Sequence, residues 1–237
     1  MNNVGDNINA DRGNWKFSGD MIQHFPNHIK RSVPFYDEGH QLICRLSDYF
    51  IRSGSKIYDL GCSTGHLLCK LSDYHSHKKE LSFIGIDSEF DMISFANSQC
   101  ENSSDITFLC VDLSSFLFEE SSLIISYYCF QFIRPKYRQI IYDRIYNALD
   151  WGGACVVFDK VRAPDARFQD MMTGIYTDFK ADNLFTDEEI MQKSRSLRGV
   201  QEPYSSEENY RYFYRAGFKD VMTIYKYVTF EGFLAIK

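Results

Sequence analysis

Three aspartates recur through the first half of the chain, each at the end of a short apolar run: Asp59 after Lys56-Ile57-Tyr58, Asp87 after Leu81–Ile86, and Asp112 after Ile106–Val111. Behind the first lies a glycine-flanked turn, Asp59-Leu60-Gly61-Cys62-Ser63-Thr64-Gly65. Gly61 and Gly65 let the backbone turn sharply and approach a ligand closely, because no Cβ intervenes. A helix that starts just after such a turn presents free N–H groups to an anionic end of that ligand. A carboxylate at the position of Asp87 can accept two hydrogen bonds from ribose hydroxyls. Asp112 is placed to accept from an adenine amino group, with Val111 and Leu113 packing on the ring. Taken singly, each feature is a turn or a solvated cap; in this order they describe a site for a nucleoside-bearing cofactor.

Two rival cofactor classes fit poorly. A nicotinamide site usually carries G-x-G-x-x-G, which the Gly-Cys-Ser-Thr-Gly turn lacks, and no Gly-Lys-Ser/Thr follows to make a P-loop. S-adenosylmethionine (SAM) is therefore the cofactor expected, held by Asp59, Gly61, Cys62, Ser63, Gly65, Asp87, Ser88, Met92, Asp112 and Leu113, with Tyr36 and Tyr127 beside them. The expected product is S-adenosylhomocysteine. Methyl transfer is an in-line displacement that depends on alignment of the acceptor, and it needs a base only where the acceptor loses a proton. The candidates around the sulfonium are Tyr36, Tyr127, Asp159, Lys160 and Tyr212, the last with Tyr214 in a helical lid. For Tyr127 strand-end packing weighs equally with function; Tyr128 is read as packing alone. His75 and His77 lie in a polar loop, and two ligands do not make a metal site, so they are read as solvated and no metal is expected.

These residues need a scaffold that sets three strand ends side by side. Strands are predicted at 56–60, 81–86, 106–111, 123–128 and 154–158, alternating with helices at 66–74, 91–100 and 137–149. That alternation indicates a doubly wound, mostly parallel sheet with helices on both faces. Segments 220–227 and 228–236 look like adjacent strands without a helix between them, an antiparallel hairpin of the kind that closes the class I SAM-methyltransferase sheet. Residues 1–16, rich in Asn, Asp and Gly, are read as a disordered tail. The rest, 17–237, is read as one domain, with a helical cap at 17–55 and a helical insertion or lid at 160–215.

Composition narrows the partners. A net charge of −6 in 237 residues leaves no broad basic face for phosphates, so direct nucleic-acid binding is not expected. The 16% aromatic content suits an apolar, stacking-rich cavity for a small molecule. Seven scattered cysteines without a C-x-x-C pair point to reduced thiols and a cytoplasmic location. Neither a signal peptide nor a membrane-spanning run is visible.

From about Met21 to Lys237 the chain resembles the carboxy-S-adenosylmethionine synthase family, within the SAM methyltransferase superfamily. The resemblance rests on RSVPFY (31–36), YDLGCSTG (58–65), IDSEFDMI (86–93), FQFIRP (130–135), IYNALDWGGA (145–154), DFK (178–180) and RAGF (215–218). It implies contacts from Tyr36, Gly61, Asp87 and Asp112 to SAM, prephenate as second substrate, a homodimer, and a product that a partner enzyme uses on tRNA wobble uridine. Some positions depart from the pattern. The family's carboxylate-gripping arginine falls on Tyr212, with Arg211 one place earlier; its Asn after the fourth-strand run falls on Tyr127, and its Pro-Gly-Tyr is Pro34-Phe35-Tyr36. Tyrosine cannot reproduce a bidentate charged pair, so the expectation is a divergent paralogue that methylates a small-molecule acceptor. The alternatives are a carboxy-SAM synthase and a non-catalytic SAM-binding partner subunit.

Overall fold

A computed structural model describes residues 2–19, 21–100 and 103–237. Two short strands, β1 (Asn2–Asn3) and β2 (Asn9–Ala10), pair antiparallel and precede α1 (Met21–Ser32) and α2 (Tyr36–Ser47). The alternating core follows: β3 (Lys56–Leu60), α3 (His66–Tyr74), β4 (Ser82–Asp87), α4 (Phe90–Gln99), β5 (Ile106–Cys110) and β6 (Ser121–Tyr127). After a 3-10 turn at Phe130–Phe132 come α5 (Pro135–Ala148) and β7 (Leu149–Lys160). Three further helices, α6 (Ala166–Asp182), α7 (Asp187–Ser196) and α8 (Ser206–Ala216), lead into β8 (Asp220–Tyr227) and β9 (Phe230–Ile236).

The main sheet runs β5-β4-β3-β6-β7-β9-β8, parallel through β7 and antiparallel for the last two strands. Both of its faces are buried, and strand parity sorts the side chains between them. Ile57, Leu123, Ile125, Val156 and Phe158 pack on the face that carries α2 and α3. Tyr58, Leu60, Ile124, Cys155 and Val157 pack on the face that carries α5 and α8. The order reverses at β3, whose neighbours are β4 and β6. That is where ligands bind in open α/β sheets, beyond the carboxyl ends of the strands.

Several expectations are corrected here. The segment read as a disordered tail is folded: Val4, Ile8, Ala10 and Trp15 are buried with Met21, Ile22 and Phe25 of α1 and Met92 of α4. Low-complexity composition hid four apolar residues that suffice to dock the hairpin. α2 stops at Ser47, short of the end at residue 55 expected for the helical cap, leaving Tyr49 exposed. β7 is longer than expected, starting at Leu149, because Trp151-Gly152-Gly153 continues the strand irregularly instead of breaking it. The cysteines are not all free: Cys69 of α3 and Cys100, just after α4, form a disulfide with Cα atoms 6.3 Å apart, although 31 residues separate them in sequence. Sequence spacing cannot show that two helices bring them together.

Candidate functional site

A cleft of about 1330 Å³ opens at the carboxyl ends of β3, β4, β6 and β7. One wall is the glycine turn. Gly61 has φ +71°, and a Cβ there would lie 2.5 Å from the Cys129 sulfur, so the turn and Cys129 can approach only around a glycine. The Gly61 and Cys62 amides donate to the Ile86 carbonyl at 2.7 and 3.0 Å, pinning the turn to β4. Ser63, also left-handed at φ +51°, donates its amide to Asp87 at 2.9 Å and its hydroxyl to the Met92 sulfur at 3.5 Å. Gly65 begins α3 from φ +73°, tight against Phe108 and Ala96.

The three aspartates differ in environment. Asp59 is buried at the end of β3, and its Oδ1 has no hydrogen-bond partner among the described residues. Burial, then the neighbouring charge of Asp87, pushes its carboxyl up to about 7. Asp87 accepts from the Ser63 and Glu89 amides, at 2.9 and 3.0 Å, and burial outweighs those bonds to raise its pKa. Asp112 is exposed at the cleft rim, where it accepts from the Ser114 amide at 2.7 Å. Leu113 lies buried beside it. A buried carboxylate oxygen without a donor, beside a second acid and the Asp112–Leu113 rim, fits SAM, whose methionine ammonium would supply the donor that Asp59 lacks.

Tyr36, at the start of α2, and Tyr127, at the end of β6, meet over the cleft with ring centroids 5.1 Å apart. The Tyr127 hydroxyl is committed to the Tyr36 carbonyl at 2.7 Å, and Gly39 supplies the space for that hydroxyl. Burial raises both phenols, so at neutral pH both stay protonated and neither is a general base. Tyr128 closes the cleft floor in a left-handed conformation, φ +63°, with its ring against Tyr127 and Phe158.

Strand parity separates Asp159 from Lys160. Asp159 turns to the α5 face, where it is buried, accepts from the Gln131 amide at 3.2 Å and is pushed up to about 7 by burial. It does not line the cleft. Lys160, one residue on, does; its ammonium stands 4.4 Å from the centre of the Tyr176 ring. Tyr212 is likewise corrected: it is buried against Tyr142 and Tyr204 in the α5–α8 layer and is no part of a lid. Arg211 points outward and pairs with Glu207 and Glu208. Gly65, expected among the cofactor contacts, shapes the turn from behind and does not line the cleft. The remaining cofactor candidates, including Cys62, Ser88 and Met92, do line it.

Of the expected insertion, α6, α7 and the loop after α7 line the cleft while α8 does not, and the two helices bring residues that the sequence reading missed. Lys180 lies buried, its ammonium 4.5 Å from the same Tyr176 ring that Lys160 approaches. Burial, followed for Lys160 by Lys180 and Arg162, depresses both ammonium groups to about 8. Lys193 lines the same region over the Trp15 ring, its pKa also depressed by burial. None of the three has a salt-bridge partner among the described residues. Lys193 does meet the buried His28, whose Nε2 stands 3.1 Å from its ammonium. The cleft thus carries carboxylates at the glycine turn and, from α6, α7 and the end of β7, ammonium groups without carboxylate partners among the described residues. The DFK segment carried Lys180 in plain view, but nothing local shows that α6, which begins six residues beyond β7, folds back over the cleft.

Residues 57–153 match the family model described as "Methyltransferase domain". The chain is 34% identical to the carboxy-S-adenosyl-L-methionine synthase of Staphylococcus epidermidis, over 97% of this chain and all of the relative. It is 33% identical to the enzyme of the same name from Campylobacter lari, over 94% of each chain. Among solved structures it is similar in fold to the pyocyanin biosynthetic protein PhzM (TM-score 0.66, 13% identity, 92% of this chain and 58% of that one). It is also similar to Haemonchus contortus phosphoethanolamine N-methyltransferase 2 in complex with SAM (TM-score 0.62, 13% identity, 95% of this chain and 60% of that one).

Proposed function

The chain belongs to the carboxy-S-adenosyl-L-methionine synthase family, a SAM-using branch of the class I methyltransferase fold, and from that premise we propose that it carboxylates SAM rather than passing on its methyl group. The observation that carries this reading is the pair Lys160 and Lys180, which line the cleft, share the Tyr176 ring and have no carboxylate partner among the described residues, with Lys193 lining the same cleft at 3.1 Å from His28 Nε2. Ammonium groups held in a partly desolvated site await an anion. A carboxylate donor such as prephenate, which the resemblance implies, supplies more than one carboxylate to such a cluster. A neutral aromatic acceptor would leave the cluster uncompensated.

When bound, SAM would supply a sulfonium methyl that loses one proton and forms a C–C bond to the transferred carboxyl carbon; that carboxyl breaks its bond to the ring carbon of prephenate as CO2, the bonding pair aromatises the ring as the ring hydroxyl leaves, and the departing hydroxide takes the methyl proton as water. This chain's own residues bind and orient. Asp59 receives the ammonium, Asp87 the ribose hydroxyls, and Leu113 with Asp112 the adenine; Tyr36 and Tyr127 cover the sulfonium side. The lysines hold the donor. Position 212 does not face the cleft of its own protomer, so tyrosine there removes no cation from this site. A homodimer agrees with the exposed apolar side chains Phe168, Met171 and Ile175 along α6. Among the described residues no helix is long and apolar enough to cross a membrane, and dependence on SAM supports a cytoplasmic location.

The test is mass spectrometry of small molecules released from the denatured protein, followed by turnover with SAM and prephenate. Carboxy-SAM as bound ligand and product is the expected result. SAM or S-adenosylhomocysteine alone, with no prephenate consumed, returns the reading to methyl transfer onto another acceptor.

A further inference from the structure

On the side of the molecule where α2 ends and α3 runs into β4, three side chains from two distant segments converge. Asp48 follows α2, and His75 and His77 follow α3. One ligand atom from each lies within 4.8 Å of the other two. His75 is buried, unlike the solvated residue expected, and its ring is oriented from behind. Its Nε2 stands 2.7 Å from the Ser47 hydroxyl, and that hydroxyl's single proton is spent on the Cys44 carbonyl at 2.7 Å. The imidazole must therefore be the donor in this pair. In the neutral ring the proton then sits on Nε2 and the lone pair on Nδ1.

Nδ1 has no hydrogen-bond partner among the described residues, and the Asp48 carboxylate oxygen faces it at 4.0 Å. A cation between them would satisfy both acceptors. A histidine whose far N–H donates to a fixed acceptor is the usual arrangement behind a metal-ligating imidazole, and here the Ser47 hydroxyl is that acceptor. We propose that Asp48, His75 and His77 bind a divalent zinc-class cation, water completing a four-coordinate site. Nitrogen and oxygen ligands about 2.0–2.2 Å from Zn²⁺ stand roughly 3.4 Å apart in a tetrahedron. The present spacing closes to that through Asp48 and His77, both exposed and free to change rotamer.

One competitor is in place. Lys78 donates to Asp48 Oδ1 at 2.7 Å and to the Ile51 carbonyl at 2.8 Å, so the metal shares the carboxylate with an ammonium group. The other His-containing cluster, Asp37, His40 and His66, is a poorer candidate. Two lysines, Lys30 and Lys70, already pair with Asp37, and Lys70 also approaches His40 Nδ1 at 3.5 Å. The Asp48 site lies outside the cleft, and its metal would brace the C-terminus of the cofactor helix against α2.

The experiment uses the full chain, stripped with chelator and exchanged into metal-free buffer. It is titrated with Co²⁺ as a visible probe and with Zn²⁺ as competitor, and thermal unfolding is followed in parallel. The expected result is one equivalent of Co²⁺ with four-coordinate d–d bands and no thiolate charge-transfer band, displacement by Zn²⁺, and a Zn²⁺-dependent rise in Tm. His77→Ala, at an exposed position, weakens binding by at least about tenfold. Lys78→Met, which frees Asp48, tightens it, and Cys110→Ser, at an exposed thiol, changes nothing. Absence of binding, thiolate bands, or binding indifferent to His77→Ala would overturn the proposal.

Discussion

With its carboxyl held at about 7 by burial and by Asp87, Asp59 binds a cation only after it loses its proton. SAM affinity measured by calorimetry should therefore be flat above pH 8. It should fall as pH drops through 7, approaching a tenfold loss per unit once the protonated form dominates. Asp59→Asn removes that dependence and weakens binding by at least about tenfold, the scale of a lost charged hydrogen bond. The lysines titrate in the opposite sense. Lys160 and Lys180, depressed to about 8, hold an anion while protonated and release it as pH rises through 8. KM for the carboxylate donor should thus climb above pH 8 while SAM affinity stays constant, giving turnover an optimum between the two limbs. Lys180→Met should raise that KM about tenfold or more at pH 7 and leave SAM binding unchanged. A fall in SAM affinity of the same size would mean that Lys180 acts on the cofactor side instead.

At the scale of elements, the cleft depends on how closely the β3–α3 turn and the start of α2 can approach the strand ends. Gly61→Ala adds a Cβ 2.5 Å from the Cys129 sulfur at a left-handed φ. Such a change in a tightly packed turn typically costs 1–3 kcal/mol. Urea denaturation should show a loss of that size, together with weakened SAM binding. Tyr127→Phe removes only the hydrogen bond to the Tyr36 carbonyl, and a loss of about 1 kcal/mol is expected. If Tyr127 instead positioned a reacting group, kcat would fall by far more than that stability change implies. Parity along β7 makes the same point for Asp159 and Lys160: one residue of register decides which of two neighbouring charges meets the ligand. Residue type alone makes the aspartate the more tempting catalyst.

Across the whole molecule, the N-terminal hairpin belongs to the cleft's architecture. Trp15 is buried with α1 and Met92, and Lys193 sits over its ring. Trp15→Ala should cost roughly 3 kcal/mol, measured by chemical denaturation. A loss near zero would return the segment to the tail that its composition suggested. The seven strands of the main sheet, the glycine turn and the three acidic strand ends were legible in the sequence because each is local: short apolar runs, glycines flanking a turn, and an acid where three of those runs stop. Lys180, Lys193 and the Asp48–His75–His77 convergence were not, since they join segments tens of residues apart. Tyr212 and Asp159 were misplaced because helix face and strand parity, not proximity to a motif, determine which way a side chain points. The sequence alone determined the glycine-turn side of the cleft, proposed for the cofactor, because short-range backbone geometry builds it. Only tertiary structure decided the lysine-bearing side, where helices beyond the sheet fold back to place charges whose meaning depends on what they face.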